Sequence, residues 1–205
     1  SGFNIAMQDL DIRGAGNLLG AEQSGFITDM GFETYQKILS EAMEELGVET
    51  GLTSGNIKGS YVSDCTIETD QLALIPDSYI SLSAEKIRIY KELDSLGSDS
   101  EIETVKSRLE DRFGPIPEEL AALLMIVRIR HRGEKLGFEK IIIKNGIMIL
   151  FFINNPMSQY YKSPVFQSVI ESLNKNHDFE LKQNDNRLRL VNRKVESLDK
   201  AYALL

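Results

Sequence analysis

Between Gly31 and Gly47 the residues Phe32, Tyr35, Ile38, Leu39, Ala42, Met43 and Leu46 recur at steps of three and four, one face of an amphipathic helix. Residues 3–7 (FNIAM) form a short apolar run, a strand or a buried segment, ahead of a glycine-rich stretch. Residues 65–74 (CTIETDQLAL) alternate Cys65, Ile67 and Thr69 with polar neighbours and then turn more apolar, as a half-buried strand would, until Pro76 stops them. A helix is expected from Ser83 as N-cap through Ile87, Tyr90, Leu93 and Leu96, although Lys86 stands where a capping box would hold Glu. A second runs from about residue 100 through Ile102, Val105 and Leu109 to Phe113. Gly114-Pro115-Ile116-Pro117 then breaks the chain, and Pro117 suits the first turn of a third helix carrying Leu120, Leu123, Leu124 and Val127 and ending near Gly137.

Beyond Gly137 the period changes. Residues 140–144 (KIIIK), Asn145-Gly146 and residues 147–153 (IMILFFI) read as a β-hairpin with the favoured two-residue turn. Its strands are nearly all apolar, so both faces are expected to be covered. Phe166, Val169, Ile170 and Leu173 indicate another helix, residues 178–183 and 187–191 a second hairpin, and residues 195–205 a closing helix. The class is α+β. Residues 47–63, with four glycines among small and polar residues, read as a linker or long loop. The expected organisation is a glycine-rich loop and helix over residues 1–50, a linker over 51–63, and a compact mixed helix and hairpin domain over 64–205.

Composition narrows the function classes. One cysteine in 205 residues, Cys65, excludes an internal disulfide, and no run approaches the roughly 18 apolar residues of a membrane span, so a cytosolic protein is expected. The chain opens on Ser1 without an initiator Met, and a C-terminal fragment of a longer protein is expected. The net charge of −8 is unevenly placed: basic against acidic residues count 2 to 9 over residues 1–50, 7 to 14 over 51–125, and 14 to 8 over 126–205. An acidic front disfavours a broad electrostatic footprint on DNA there.

Candidate chemistry concentrates in residues 9–25 (DLDIRGAGNLLGAEQSG). Gly14, Gly16, Gly20 and Gly25 free the backbone for sharp turns or close approach, and Arg13 and Gln23 supply long polar side chains at either end. No glycine loop ending in Lys-Ser/Thr is present, so this chain is expected to bind no ATP. GAGNLLG has three residues where the dinucleotide fingerprint needs two. His131, His177 and Cys65 make no metal-ligand set and are expected to be structural or on the surface. Glu41, Glu44, Glu45 and Glu49 read as a solvated face, with no paired acid and base. Arg128, Arg130, Arg132 and Lys135 are spread around a helix, where a solvated face is the preferred reading over phosphate contact, no stacking aromatics accompanying them.

Residues 9–25 resemble the translocation motif shared by the RecG helicases and the transcription-repair coupling factor family, and the form RGAGNLLG with a following GF is closer to the latter. Ile75-Pro76-Asp77-Ser78-Tyr79-Ile80, Arg88-Ile89-Tyr90-Lys91 and Asp111-Arg112-Phe113-Gly114-Pro115-Ile116-Pro117 resemble signatures of that family's C-terminal domain, which RecG lacks. Together these cover about residues 1–135. The resemblance implies part of a bacterial, cytoplasmic, ATP- and Mg²⁺-dependent double-stranded DNA translocase that displaces stalled RNA polymerase and recruits the repair protein UvrA. It implies that Arg13 and Gln23 couple nucleotide state to DNA movement. It further implies that the C-terminal domain packs on the UvrB-like module of the same protein and masks its UvrA-binding face, with Glu110 and Asp111 as interface candidates. Arg108 stands where relatives tend to be acidic, which bears on that pairing. No catalytic residue, cofactor or metal is expected within this chain. The alternative is a self-contained nucleic-acid-binding module resting on the basic residues 126–205. For Asp111 the other reading is a local one, capping the Gly114-Pro115 turn.

Overall fold

The computed structural model describes residues 61–184 and 187–205. Their elements run β1 (Thr66–Thr69), α1 (Ser83–Ser95), α2 (Asp99–Phe113), α3 (Glu118–Leu136), β2 (Phe138–Lys144), β3 (Ile147–Phe152), a 3-10 turn (Gln159–Lys162), α4 (Pro164–Lys175), β4 (Phe179–Asn184), β5 (Arg187–Asn192) and α5 (Leu198–Ala203). This is the α+β class read from the sequence. The glycine-rich loop, with Arg13, Gln23, Gly14, Gly16, Gly20 and Gly25, the helix after it and the linker to residue 60 lie outside the described residues. The remainder forms two compact units, Gln71–Arg128 and a second made of residues 61–70 with Ile129–Leu205.

In the first unit α1, α2 and the N-terminal part of α3 bury Ile89, Leu93, Ile102, Val105, Leu109, Leu120, Leu123 and Val127, the i, i+3, i+4 stripes that the sequence displays. Ser83 is not the cap of α1: it is the first helical residue, preceded by Leu82, and no side chain caps that end. Lys86 is needed elsewhere, pairing from a buried position with Asp77. The cap that the sequence reading missed is one helix later. Ser98 accepts from the Glu101 N–H while Glu101 accepts from the Ser98 N–H, a complete capping box.

The second unit is built on a five-stranded sheet of order β1-β2-β3-β5-β4, antiparallel except for β1 beside β2. Asn145 (φ 53°) and Gly146 (φ 73°) form the turn expected between β2 and β3, both left-handed as that turn type requires. The strand expected over residues 65–74 is only Thr66–Thr69. Among the described residues the two faces are unequally covered. Phe138, Ile141, Ile143, Met148, Leu150 and Phe152 are buried, whereas Ile142, Ile147, Ile149 and Phe151 are only half-buried. Strand side chains alternate between faces, and here the described helices cover one of them. α3 approaches through Gly133, where an added Cβ would lie 2.6 Å from Cys65 Sγ and 2.9 Å from Ile141 Cδ1. Leu150 and Leu190 line one cavity together with Val169, Ser172 and Leu173 of α4.

Candidate functional site

The three family-like motifs converge in the first unit, and hydrogen bonds explain why they occur together. Pro76 O accepts from the N–H groups of Tyr79 and Ile80, which curls the IPDSYI segment into one turn. The buried Ile75 N–H donates to the Tyr90 hydroxyl at 2.9 Å, joining this segment to the RIYK stretch of α1. The Asp77–Lys86 ion pair makes a second tie to α1. The Tyr79 hydroxyl lies 2.8 Å from Gly114 O and 3.0 Å from Leu109 O, sharing its one proton between two carbonyls at the end of α2. Its ring meets Phe113 at 5.7 Å between centroids.

That end of α2 is correspondingly rigid. Gly114 sits at φ 92°, ψ −168°, a conformation essentially reserved for glycine, and its N–H closes on Glu110 O at 2.9 Å. Arg112 lies over the Phe113 ring at 4.8 Å and donates to Glu85 at 2.5 Å. Arg108 donates to Glu92 at 2.5 Å, and this hydrogen bond holds its guanidinium pKa above the usual value. Arg108 is therefore engaged within the unit. Glu110 and Asp111 are different: both are exposed, and neither enters an ion pair or side-chain hydrogen bond among the described residues. The local reading of Asp111 as a turn cap fails, because backbone groups and Tyr79 satisfy that turn. Burial, and secondarily the Glu110 carboxylate, raise the Tyr79 phenol above its usual pKa.

The arginine cluster on α3 is no solvated stripe. Arg128 pairs with Glu103, Arg130 is buried at 5% exposure together with His131, and Arg132 donates to the Tyr202 hydroxyl at 3.1 Å with its guanidinium over that ring. These side chains are committed to packing. Cys65 is buried and His177 exposed. Among the described residues no group of three or more His, Cys, Asp or Glu could hold a metal, and no helix is long and apolar enough to cross a membrane.

One titratable site was not foreseen. Glu134, on the last turn of α3, is pushed up to about 7, first by burial, then by Asp64, against the opposing effects of Arg130 and the Cys65 backbone. Burial and the same two carboxylates raise the Cys65 thiol. A sequence signal for this was absent, since Asp64 and Glu134 are 70 positions apart.

The TRCF domain family matches residues 69–163. The transcription-repair-coupling factor of Rickettsia bellii is 39% identical over 159 residues, covering 77% of this chain and 14% of that protein. That of Bacillus subtilis is 40% identical over 130 residues, 63% of this chain and 10% of that protein. The crystal structure of the C-terminal domain of transcription-repair coupling factor shares the fold, with a TM-score of 0.58 at 23% identity over 69% of this chain and 88% of that one. The chain spans between about a tenth and a seventh of the length of these relatives.

Proposed function

We infer, from a chain that belongs to the transcription-repair-coupling factor family, that it is a coupling and regulatory part of an ATP-driven, Mg²⁺-dependent double-stranded DNA translocase, acting in the bacterial cytoplasm. That larger protein would displace stalled RNA polymerase and recruit UvrA. In this reading Arg13 and Gln23 transmit nucleotide state to movement on DNA, and residues 64–205 restrain the machine by docking on its UvrB-like module.

The observation that carries the regulatory part is the treatment of the DRFG segment. Arg112, Phe113 and Gly114 are used internally, and this fixes the end of α2 from which Glu110 and Asp111 project, unpaired among the described residues. Two carboxylates on a rigid support suit a contact with basic residues that forms and releases. Rim ion pairs contribute about 0–1 kcal/mol and desolvated ones several, and a releasable clamp lies between. The nucleic-acid reading loses its basis on α3, where Arg128, Arg130 and Arg132 are occupied.

In the full-length protein, deleting residues 64–205 should raise UvrA affinity and DNA-stimulated ATP hydrolysis, and Asp111→Lys should do so partially. In the isolated chain the same substitution should leave stability within about 0.5 kcal/mol, as expected of an exposed unpaired side chain. A deletion that alters neither UvrA binding nor ATPase would refute the inhibitory role. Loss of stability on Asp111→Lys would instead assign that residue to the fold.

A further inference from the structure

The described helices of the second unit do not cover one face of the sheet, where Val191 is nevertheless buried beside the half-buried Ile149. The centre of this face is apolar: Ile142, Ile147 and Ile149 stand half-buried in adjacent strands. Charges ring that centre, and their balance is uneven. Lys140 and Lys144 lie 3.2 and 3.5 Å from one carboxylate, Glu68. Lys182 and Arg193 likewise share Glu180, at 2.9 and 4.0 Å. Arg187 reaches Glu139 at 3.3 Å and lies over the Phe151 ring at 4.7 Å. Among the described residues Arg189 enters no ion pair; with the Asn184 amide turned so that both of its groups are satisfied, that oxygen accepts from Arg189 at 2.9 Å. Among the described residues these six cations thus face three carboxylates. The Nε–H groups of both Arg187 and Arg189 are shielded from water without an acceptor, a condition an incoming carboxylate could relieve by drawing the guanidinium outward.

We propose that this face docks an acidic amphipathic helix of a protein partner, its apolar side on Ile142, Ile147 and Ile149 and its carboxylates on Arg187, Arg189 and the flanking lysines. An apolar centre with a charged rim is the anatomy of a protein–protein contact, and a helix is the element that covers a sheet face in this class. Nucleic acid fits less well. Its interfaces are more polar, and the Phe151 ring is already covered by Arg187 and not free to stack on a base. The surface is opposite in charge to the Glu110–Asp111 end of α2, so the partner is chemically distinct from the one proposed for that site.

The test uses the 205-residue chain and three labelled probes: a helical peptide with leucine along one face and glutamate on the other, the same peptide with lysine for glutamate, and a DNA duplex. Fluorescence anisotropy should show tightest binding to the acidic peptide, weakened about tenfold by Arg189→Glu and severalfold by Lys144→Glu, an exposed position where folding is not at risk. Amide shifts in the unmodified chain should map to β2, β3 and β5, which keeps the question open to refutation even if Arg189→Glu unfolds. No binding of the acidic peptide, equal binding of the two peptides, tighter binding of the duplex, or shifts elsewhere would each overturn the proposal.

Discussion

Tyr79 accounts for two motifs at once, since its hydroxyl serves carbonyls at Leu109 and Gly114 while its ring rests on Phe113. Tyr79→Phe keeps the ring and removes the only donor those carbonyls have from the IPDSYI turn. Unfolding in urea should show a loss of about 1–2 kcal/mol; a change below about 0.3 kcal/mol would mean water replaces the hydroxyl without cost. Glu134 carries a pH dependence whose sign follows from its raised value of about 7. The folded chain holds this proton more tightly than the unfolded one, so the stabilisation is full below the usual carboxylate range and is lost as pH rises through about 7. After allowance for its partial exposure, the loss should be about 1–2 kcal/mol. Glu134→Gln should flatten the stability profile between pH 5 and 8 and be the more stable form at pH 8. An unchanged slope would place the titration elsewhere.

At the scale of elements, local rules decide most boundaries. Asn145-Gly146 is sufficient to close the β2–β3 hairpin, and its left-handed pair is found where it was expected. Ser98 is the counter-case, a cap with Glu101 three residues on that the apolar pattern alone did not bring out. Ser98→Ala should cost about 1 kcal/mol, read as a lower midpoint in thermal unfolding. An unchanged midpoint would show that packing of Ile102 and Val105 holds the first turn of α2 without its cap. β1 falls short of its expected length because residues 70–74 leave the sheet. Asp70 instead accepts from the Asn145 N–H at 2.9 Å, and Leu74 donates to Glu119 O at 3.1 Å.

For the whole molecule, the expectation of no ATPase rests on the missing phosphate loop. A clean preparation of the 205 residues should hydrolyse no ATP with or without DNA, measured by phosphate release; turnover would contradict the regulatory reading. Helix stripes, the Asn-Gly turn, the α+β class and the family were legible because each depends on residues near one another along the chain. The exposed pair Glu110 and Asp111 was reached through the motif that contains it. What the linear order could not display is association across distance. β1 pairs in parallel with a strand some 70 residues later, Arg130 is buried though its neighbours in sequence suggested a solvated face, and Glu134 meets Asp64 and Cys65 only after α3 has packed. An apolar strand looks the same whether one of its faces is covered or both, because coverage is set by where the helices land. Sequence alone therefore determined the elements, their local turns and the motif residues. Tertiary packing decided which charges are consumed inside the fold and which remain on its surface, since pairing and burial depend on distances in space.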